Sequence, residues 1–348
     1  MGIVITGVNS ITAVGHTAEM TAASVRAGIS RLAESVDYLD VEGNPITVGS
    51  VEGISDEEDE VTRTRAIAMC CLEGLFQRYF KHGAGSKREV HLLLGVAASS
   101  RPGPEYGHIA EHLLEFVRTY TPKVTLQMTA SGNPAAIRCL ERARRLLSTN
   151  PTCLCVVGGV DSLLASDTLD FFEESERLKS ESFGRNQGFA PAEAVGFMFV
   201  ESKENAIRER REVLAELAGI GLAQEPAPFL SELPSKGEGL TAACKIALSE
   251  SGERANTIRS LWGDLDGEFF RAKMWGYAEV RCFGNSHGSR RLWHPADCWG
   301  SVGAASGIIL MNMATVALAR GWIREGALVF CSDDSGECGV SILRSCSN

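Results

Sequence analysis

The stretch ASGNPAAIRCLERARRLLSTNPTCLCVVGGVDS, residues 130–162, decides the fold. Asn133-Pro134 opens a helix, because proline is tolerated in the first turn, where a backbone N–H would have no helical partner. Residues 152–162 are apolar almost throughout, which is typical of a strand buried on both faces of a parallel sheet. The stretch therefore predicts a helix followed by a buried strand.

A similar pattern occurs near the C-terminal end of the sequence. Ala305-Ser306-Gly307 opens an apolar helix, and the strand GALVFCSDD (326–334) ends about 25 residues later. Elsewhere strands alternate with helices, starting with a short strand in GIVITGVNSI (2–11) that runs into a Gly-Asn-Ser loop. We expect a layered α/β fold with a parallel-rich sheet. Internal duplication explains the two similar patterns, and a coincidence between two ordinary helix–strand units is the alternative.

The composition excludes several classes of function. With 348 residues, 44% of them hydrophobic, the chain can bury a large core as one large domain or two smaller ones. A net charge of -10 argues against nucleic-acid binding, which needs clustered Lys and Arg. The basic clusters 142–145 and 208–211 lie beside Glu residues and predict solvated helix faces.

The same composition guides the expected location and chemistry. The sequence shows no secretory signal pattern and no apolar run long enough for a membrane span, so we expect a cytoplasmic protein. Its eleven Cys residues have no disulfide-framework spacing, which predicts reduced thiols. We find no convincing zinc-ligand spacing and predict neither a metal nor a cofactor.

Six segments carry motifs of one known family, in order and over nearly the whole chain. They resemble the β-ketoacyl synthase (3-oxoacyl-ACP synthase) branch of the thiolase superfamily. The resemblance implies a thiolase-like fold, internally duplicated and layered α/β/α/β/α, with two central mixed sheets. It implies an N-terminal half (1–202) and a C-terminal half (203–348) in one compact unit. The segments are VITGVNSITAVGHTAEMTAASVRAGISRL (4–32), FGRNQGFAPAEAVGFMFVES (183–202), RREVLAELAGIGLAQE (210–225), GLTAACKIALSESG (239–252), WGSVGAASGIILMNMATVALARG (299–321) and SDDSGECGVSIL (332–343).

The family's catalytic positions are all substituted in this sequence. The resemblance implies a nucleophilic Cys at a helix N-terminus, where Ala130 stands here, or Thr129 or Ser131 if the register slips by one residue. It implies two catalytic His residues, where Asp266 and Gly300 stand.

Two further family positions also depart from the pattern. Pro295 replaces a Lys, and Asp334 replaces the Phe that gates the pocket. Without its nucleophile the protein cannot carry an acyl group covalently, so we expect a catalytically degenerate relative.

Two other groups of residues are candidates for relocated chemistry. His294 and Cys298, at i and i+4, could form a Cys-His pair, or they could be a packed thiol and a His bonded to backbone. A face with Asp264, Glu268, Arg271 and Trp275 would form if that segment is helical, and it would bind a polar ligand or close as an ion-pair network. The further acids, Asp333 and Asp334, predict an acidic pocket that suits phosphopantetheine and malonyl groups poorly.

Three functions remain open from the sequence. The first is a non-catalytic partner, scaffold or ligand-binding subunit in fatty acid or polyketide metabolism, comparable to the family's chain-length-factor subunits. The second is an enzyme of altered chemistry that uses Asp266 and Glu268, or His294 and Cys298. The third is an active 3-oxoacyl-ACP synthase in which Cys139 is the nearest thiol. The resemblance also implies a homodimer, or a heterodimer with an active ketosynthase, formed through a sheet edge, with acyl carrier protein as a further partner.

Overall fold

A computed structural model gives the structure of residues 2–54, 59–80, 88–180, 187–229, 231, 233–284 and 290–346. The strands are β1 (Ile3–Ile11), β2 (Ala33–Leu39), β3 (Pro45–Val48), β4 (Val90–Val96), β5 (Val124–Ala130), β6 (Leu154–Ser162), β7 (Glu193–Ser202), β8 (Ala215–Gln224), β9 (Ser260–Gly263), β10 (Arg291–Trp293), β11 (Ala327–Ser332) and β12 (Glu337–Arg344). The helices are α1 (Ala18–Arg26), α2 (Glu60–Tyr79), α3 (Tyr106–Tyr120), α4 (Ala135–Thr149), α5 (Ser166–Glu173), α6 (Lys203–Arg208), α7 (Glu238–Ser251), α8 (Phe269–Phe283), α9 (Ala296–Trp299) and α10 (Ser306–Ala319).

Ten of the strands form one sheet with a repeated topology. Their order is β10-β9-β11-β12-β8-β1-β7-β6-β4-β5. Each half contributes five strands. If the strands of a half are numbered along the chain, they lie in the order 3-2-4-5-1 from the outer edge of the sheet to its centre, in both halves. In each half four strands run in the same direction, and one, β7 in the first half and β12 in the second, runs antiparallel to its two neighbours. This shared order confirms the predicted internal duplication.

The two five-stranded halves are the two mixed sheets that the sequence predicts, and they meet edge to edge. Ile3, Val4 and Ile5 of β1 pair with Leu217, Glu216 and Ala215 of β8. Hydrogen bonding therefore continues from one half into the other. The boundary at residue 202 stays a prediction, and β7 ends at that residue.

Helices α4 and α10 form the middle layer, because each contacts strands of both halves. Helices α2 and α3 cover the outer face of the first half, and α7 packs against β8 and β12 on the outer face of the second. All residues of α10 except the last are buried, as expected for a helix that is apolar on every side. Its one amide, Asn312, donates from Nδ2 to Asn9 O (2.8 Å) and Ser10 Oγ (2.9 Å) of β1, so hydrogen bonds connect the middle layer to the sheet.

Two local predictions were wrong. The first strand does not end in a Gly-Asn-Ser loop but continues to Ile11. Its polar side chains can be buried there because neighbouring elements offer hydrogen-bond partners: Asn9 Nδ2 donates to Cys71 O of α2 at 2.8 Å. Ala130 does not open a helix. It is the last residue of β5, and α4 begins five residues later at Ala135.

The cysteines are free thiols, and most of them are buried. Within the described ranges, no helix combines the length and the apolar character needed to cross a membrane.

Candidate functional site

A small cavity lies where the parallel strands of both halves end. Residues that line it follow the carboxyl ends of β4, β5, β6, β9, β10 and β11, the edge at which ligands bind in α/β sheets. Its volume is about 40 Å³, which is enough for two or three water molecules, since a buried water needs ~15 Å³. The lining residues are Ala98, Ser100, Arg101, Asn133, Leu163, Phe171, Phe172, Arg177, Phe189, Asp266, Arg271, Ser301, Gly303, Asp333 and Asp334.

Arg177 is the first of two buried guanidiniums in this cavity, with 6% of its side chain exposed. It binds Glu268 bidentately, with Nε to Oε1 at 2.7 Å and Nη2 to Oε2 at 2.8 Å. Its Nη1 donates to Asp334 Oδ2 at 2.6 Å. Three phenyl rings surround the guanidinium, so water screens these ion pairs little. The rings are those of Phe172, Phe189 and Phe229.

Arg271, near the start of α8, is the second buried guanidinium and the centre of a larger cluster. Its Nη2 donates to Asp334 Oδ1 at 2.9 Å, and Nη1 donates to Ser332 O. Three more carboxylates lie close: Asp266 Oδ2 at 3.3 Å, Glu268 Oε2 at 3.5 Å and Asp264 Oδ2 at 3.7 Å. We define Arg177, Arg271, Asp264, Asp266, Glu268 and Asp334 as the charge cluster.

The structure corrects how these residues come together. Asp264 precedes α8, at the end of β9, and Glu268 is the residue before the helix, so they do not share a helical face with Arg271. They still meet, as the predicted ion-pair network. Trp275 does not join them, because its ring stacks on Phe330 at 3.8 Å in the core of the second half.

The carboxyl groups of the cluster have divergent pKa values. Burial raises the pKa of Asp266 to about 7, and the nearby Glu268 and Asp264 add to this rise against the opposing effect of Arg271. Burial also raises the pKa of Asp264, whose Oδ2 accepts from Asn133 Nδ2 at 3.0 Å. Burial alone would raise the pKa of Asp334, but Arg271 and Arg177 lower it.

A third arginine reaches the cavity from the loop after β4. Arg101 forms an ion pair with the fully buried Asp161, which also accepts from Tyr106 Oη (2.5 Å) and from the N–H of Ala304 (2.6 Å). Three arginines and three aspartates thus line the cavity. The lining is therefore less acidic than predicted, because Arg101 and Arg177 come from loops that no sequence motif marks, although the charge cluster contains four carboxylates and two guanidiniums.

The predicted nucleophile position contains no nucleophile. Ala130 is exposed and does not line the cavity. Ser131, the alternative register, is 5% exposed and begins a turn in which Gly132 has φ +59°. The carboxylate of Asp333, the residue after β11, occupies the space that a Cβ at Gly132 would need, so this side chain fills the turn.

The second His position has no room for a histidine. Gly300 has φ +92°, and a Cβ built there would lie 2.7 Å from both Ala190 O and Ala192 Cβ. The next residue, Ser301, donates from Oγ to Asp266 Oδ2 at 3.3 Å. At the first His position, a buried carboxyl group therefore contacts a serine hydroxyl.

His294 and Cys298 lie outside the cavity, and no hydrogen bond joins their side chains in the described part of the chain. His294 is about half exposed, and its Nδ1 lies 2.8 Å from Asp297 Oδ2, so it pairs with a side chain rather than with backbone. Cys298 is 8% exposed, lies in the core, and has its pKa raised by burial and by Asp297. Cys139 is also buried, and burial raises its pKa to about 11.

Comparison with known proteins adds structural relatives only. No protein-family model matches the sequence, and no curated protein matches it. A chain from a type II polyketide synthase acyl-carrier protein in complex with its ketosynthase matches with TM-score 0.83 at 15% identity, over 99% of both chains. The ishigamide ketosynthase/chain length factor matches with TM-score 0.82 at 16% identity, again over 99% of both chains. This is the thiolase-like fold of ketosynthases.

Other matches to the ketosynthase fold agree with this result. A ketosynthase in complex with its chain length factor from Xenorhabdus doucetiae has TM-score 0.79 at 16% identity, over 99% of this chain and 98% of that one. The module 6 ketosynthase of the bacillaene synthase from Bacillus subtilis has TM-score 0.81 at 13% identity, over 100% of this chain and 73% of that one. The predicted fold is thereby confirmed.

The cavity of this ketosynthase fold contains neither thiol nor imidazole. None of its described lining residues is Cys or His. A search of the described ranges also finds no group of three or more His, Cys, Asp or Glu that could hold a metal ion. The side chains available for chemistry are carboxyl, guanidinium and hydroxyl groups.

Proposed function

We propose that the chain is a non-catalytic, ketosynthase-like partner subunit linked to polyketide or fatty acid type metabolism. The observation that carries the proposal is the cavity at the strand ends, where a condensing enzyme of this fold would need a thiolate and two imidazoles. Here Asp333 closes the turn after β5, Gly300 leaves no space for an imidazole, and Asp266 stands at the remaining position. A carboxylate there would repel a developing enolate or oxyanion.

The size of the cavity supports the same proposal. About 40 Å³ holds a few water molecules and is far below the roughly 300 Å³ typical of ligand pockets. The buried ion pairs of the charge cluster occupy the rest of the site. An acyl chain could enter only if both guanidiniums moved and left their carboxylates unpaired, which is unfavourable in a buried site.

The edge strand β5 supplies a surface for a partner. Among the described strands it pairs with β4 alone, which leaves its other edge unpaired by them, and Met128 on it is 43% exposed. An open strand edge favours pairing with a second strand. Solved relatives are described as a ketosynthase with its chain length factor and as an acyl-carrier protein with its ketosynthase. We propose that this chain pairs through β5 with a copy of itself or with an active ketosynthase, and that acyl carrier protein is a further partner.

The first prediction concerns activity. The purified chain alone should release no CO2 from malonyl thioester and form no 3-oxoacyl product with an acyl thioester, because no thiol lies at the cavity. Mass spectrometry of the intact protein should show no acyl adduct. An active ketosynthase assayed in parallel is the control. Condensation at a rate comparable to that control would overturn the proposal.

The second prediction concerns self-association through β5. Met128→Lys should raise the dissociation constant of the homodimer at least tenfold, because a charge would be placed against the paired strand. Sedimentation velocity over a concentration series measures the change. Met20→Lys, on α1 and 52% exposed, is the matched control and should leave association unchanged. Equal effects of the two variants would exclude β5 as the homodimer interface.

An enzyme of altered chemistry is the second candidate, and one observation favours it. A pKa of about 7 suits Asp266 to proton transfer at neutral pH, and the Ser301 hydroxyl is its neighbour. Asp266→Asn distinguishes the two candidates: a catalytic carboxyl group would be essential to the cellular phenotype, whereas a non-catalytic partner would keep its function.

A further inference from the structure

A second cavity lies beside the edge strand β10, between β9, β10, α1 and α10. Its volume is about 130 Å³, about three times that of the first cavity. None of its lining residues belongs to the charge cluster. They are Ala22, Arg26, Trp262, Arg291, Trp293, Met313, Ala317, Trp322 and Ile323.

The walls of this cavity are aromatic. Trp262 and Trp293 are register partners on the parallel strands β9 and β10, and their rings stack with centroids 5.0 Å apart and planes 8° apart. Trp322, after α10, is 38% exposed at the rim. Met313 and Ala317 of α10 add buried apolar surface. Flat aromatic walls favour a planar, apolar ligand body.

Two exposed arginines stand over these rings without carboxylate partners. The guanidinium of Arg291 lies 3.7 Å from the centroid of Trp293, and that of Arg26 lies 4.7 Å from the centroid of Trp322. Among the residues that the structure describes, neither arginine forms an ion pair. Both can therefore bind an anionic group at the mouth of the cavity.

The indole N–H groups of Trp262 and Trp293 need hydrogen-bond acceptors. Nε1 of Trp262 and Nε1 of Trp293 are buried and have no hydrogen-bond acceptor in the described part of the chain. Trp262 itself is 3% exposed. A buried donor without an acceptor is unfavourable by about 1–3 kcal/mol. A ligand oxygen or an ordered water molecule in the cavity would satisfy these donors.

We propose that this cavity binds a small aromatic carboxylate. A cavity of about 150 Å³ accommodates one benzene ring, so 130 Å³ fits a single six-membered ring with its carboxylate at the open mouth. The ring lies in the cavity lined by Trp262, Trp293 and Trp322, and the carboxylate binds the guanidiniums of Arg26 and Arg291 at its mouth. This site does not depend on the function proposed above, because it shares no lining residue with the first cavity.

The test uses benzoate as the probe and the full chain. Calorimetric titration should show saturable binding of one benzoate per chain. Tryptophan fluorescence should change on binding, since three of the five Trp residues line the cavity. Benzamide, which has the same ring without the charge, should bind at least tenfold more weakly. Cyclohexanecarboxylate, which keeps the charge without the flat ring, should also bind more weakly.

Variants connect the binding to this cavity. The double variant R26Q/R291Q should weaken benzoate binding at least tenfold, and both positions are exposed, so folding should persist. Arg118→Gln, an exposed arginine of α3 far from the cavity, is the control and should bind as the wild type does. Ala317→Met fills the cavity and should also weaken binding, with thermal unfolding measured to confirm that it folds. No saturable binding, equal affinity for benzamide, or unchanged affinity in R26Q/R291Q would overturn the proposal.

Discussion

Arg271→Met is expected to lower the free energy of unfolding by about 3–5 kcal/mol at pH 7. The substitution removes one of the two guanidiniums of the cluster and leaves Asp264, Asp266, Glu268 and Asp334 with Arg177 as the other. Buried carboxylates without a counter-charge repel one another in a medium that screens weakly. Urea denaturation of the wild type and the variant measures the difference.

Two further variants keep this prediction testable if Arg271→Met fails to fold. Arg271→Lys retains the charge but loses the planar set of donors that reaches both Asp334 and Ser332, so we expect an intermediate loss of about 1–3 kcal/mol. Arg118→Met, at an exposed arginine of α3, should change the free energy of unfolding by less than about 0.5 kcal/mol. A loss below ~1 kcal/mol for Arg271→Met would show that the cluster does not need this guanidinium.

The charge cluster gives a physical reason why the fold would persist in the non-catalytic subunit that we propose. The residues at the strand ends satisfy one another rather than a substrate, and their ion pairs join the β6–β7 connection to α8 and β11 through Arg177, Glu268 and Asp334. Buried ion pairs that lose a partner are strongly destabilising, so single changes in such a cluster are unfavourable. A site arranged in this way acts as a structural connection between the two halves.

The sequence predicted the elements whose signal is local. Residues 152–162 were predicted as a buried strand from their nearly continuous apolar character, and β6 spans Leu154–Ser162. The strand β5 was not predicted, although VTLQMTA alternates apolar and polar residues, which is the pattern of a half-buried strand.

The candidate site was partly predictable for a similar reason. Asp266, Glu268, Arg271 and Asp334 follow strand ends, and strand ends converge on one edge of a parallel sheet, so their meeting could be expected. Arg101 and Arg177 could not be found in this way, because loops without motifs position them. Without these two arginines, the sequence prediction overstated the acidity of the cavity.

Asp266→Asn should stabilise the protein more at pH 8 than at pH 5. Burial raises the pKa of Asp266 to about 7, above the value of about 3.9 in an unfolded chain. The folded state therefore binds this proton more tightly than the unfolded state does. The contribution of this proton to the free energy of unfolding is fully present below about pH 4. It is lost as the pH rises to about 7, by at most ~1.4 kcal/mol per pH unit.

Asparagine keeps the shape of the side chain and cannot ionise, so the variant should lack this part of the pH dependence. The difference in unfolding free energy, variant minus wild type, should grow from pH 5 to pH 8 by on the order of 2–3 kcal/mol. Urea denaturation at four pH values between 5 and 8 measures it, and the exposed Asp37→Asn provides a matched control that should show no such trend. A difference that stays constant with pH would mean that Asp266 is ionised throughout. The surrounding Arg271 would then outweigh burial and the neighbouring Asp264 and Glu268, and the excess negative charge of the cluster would have to be neutralised by a proton on another of its carboxylates.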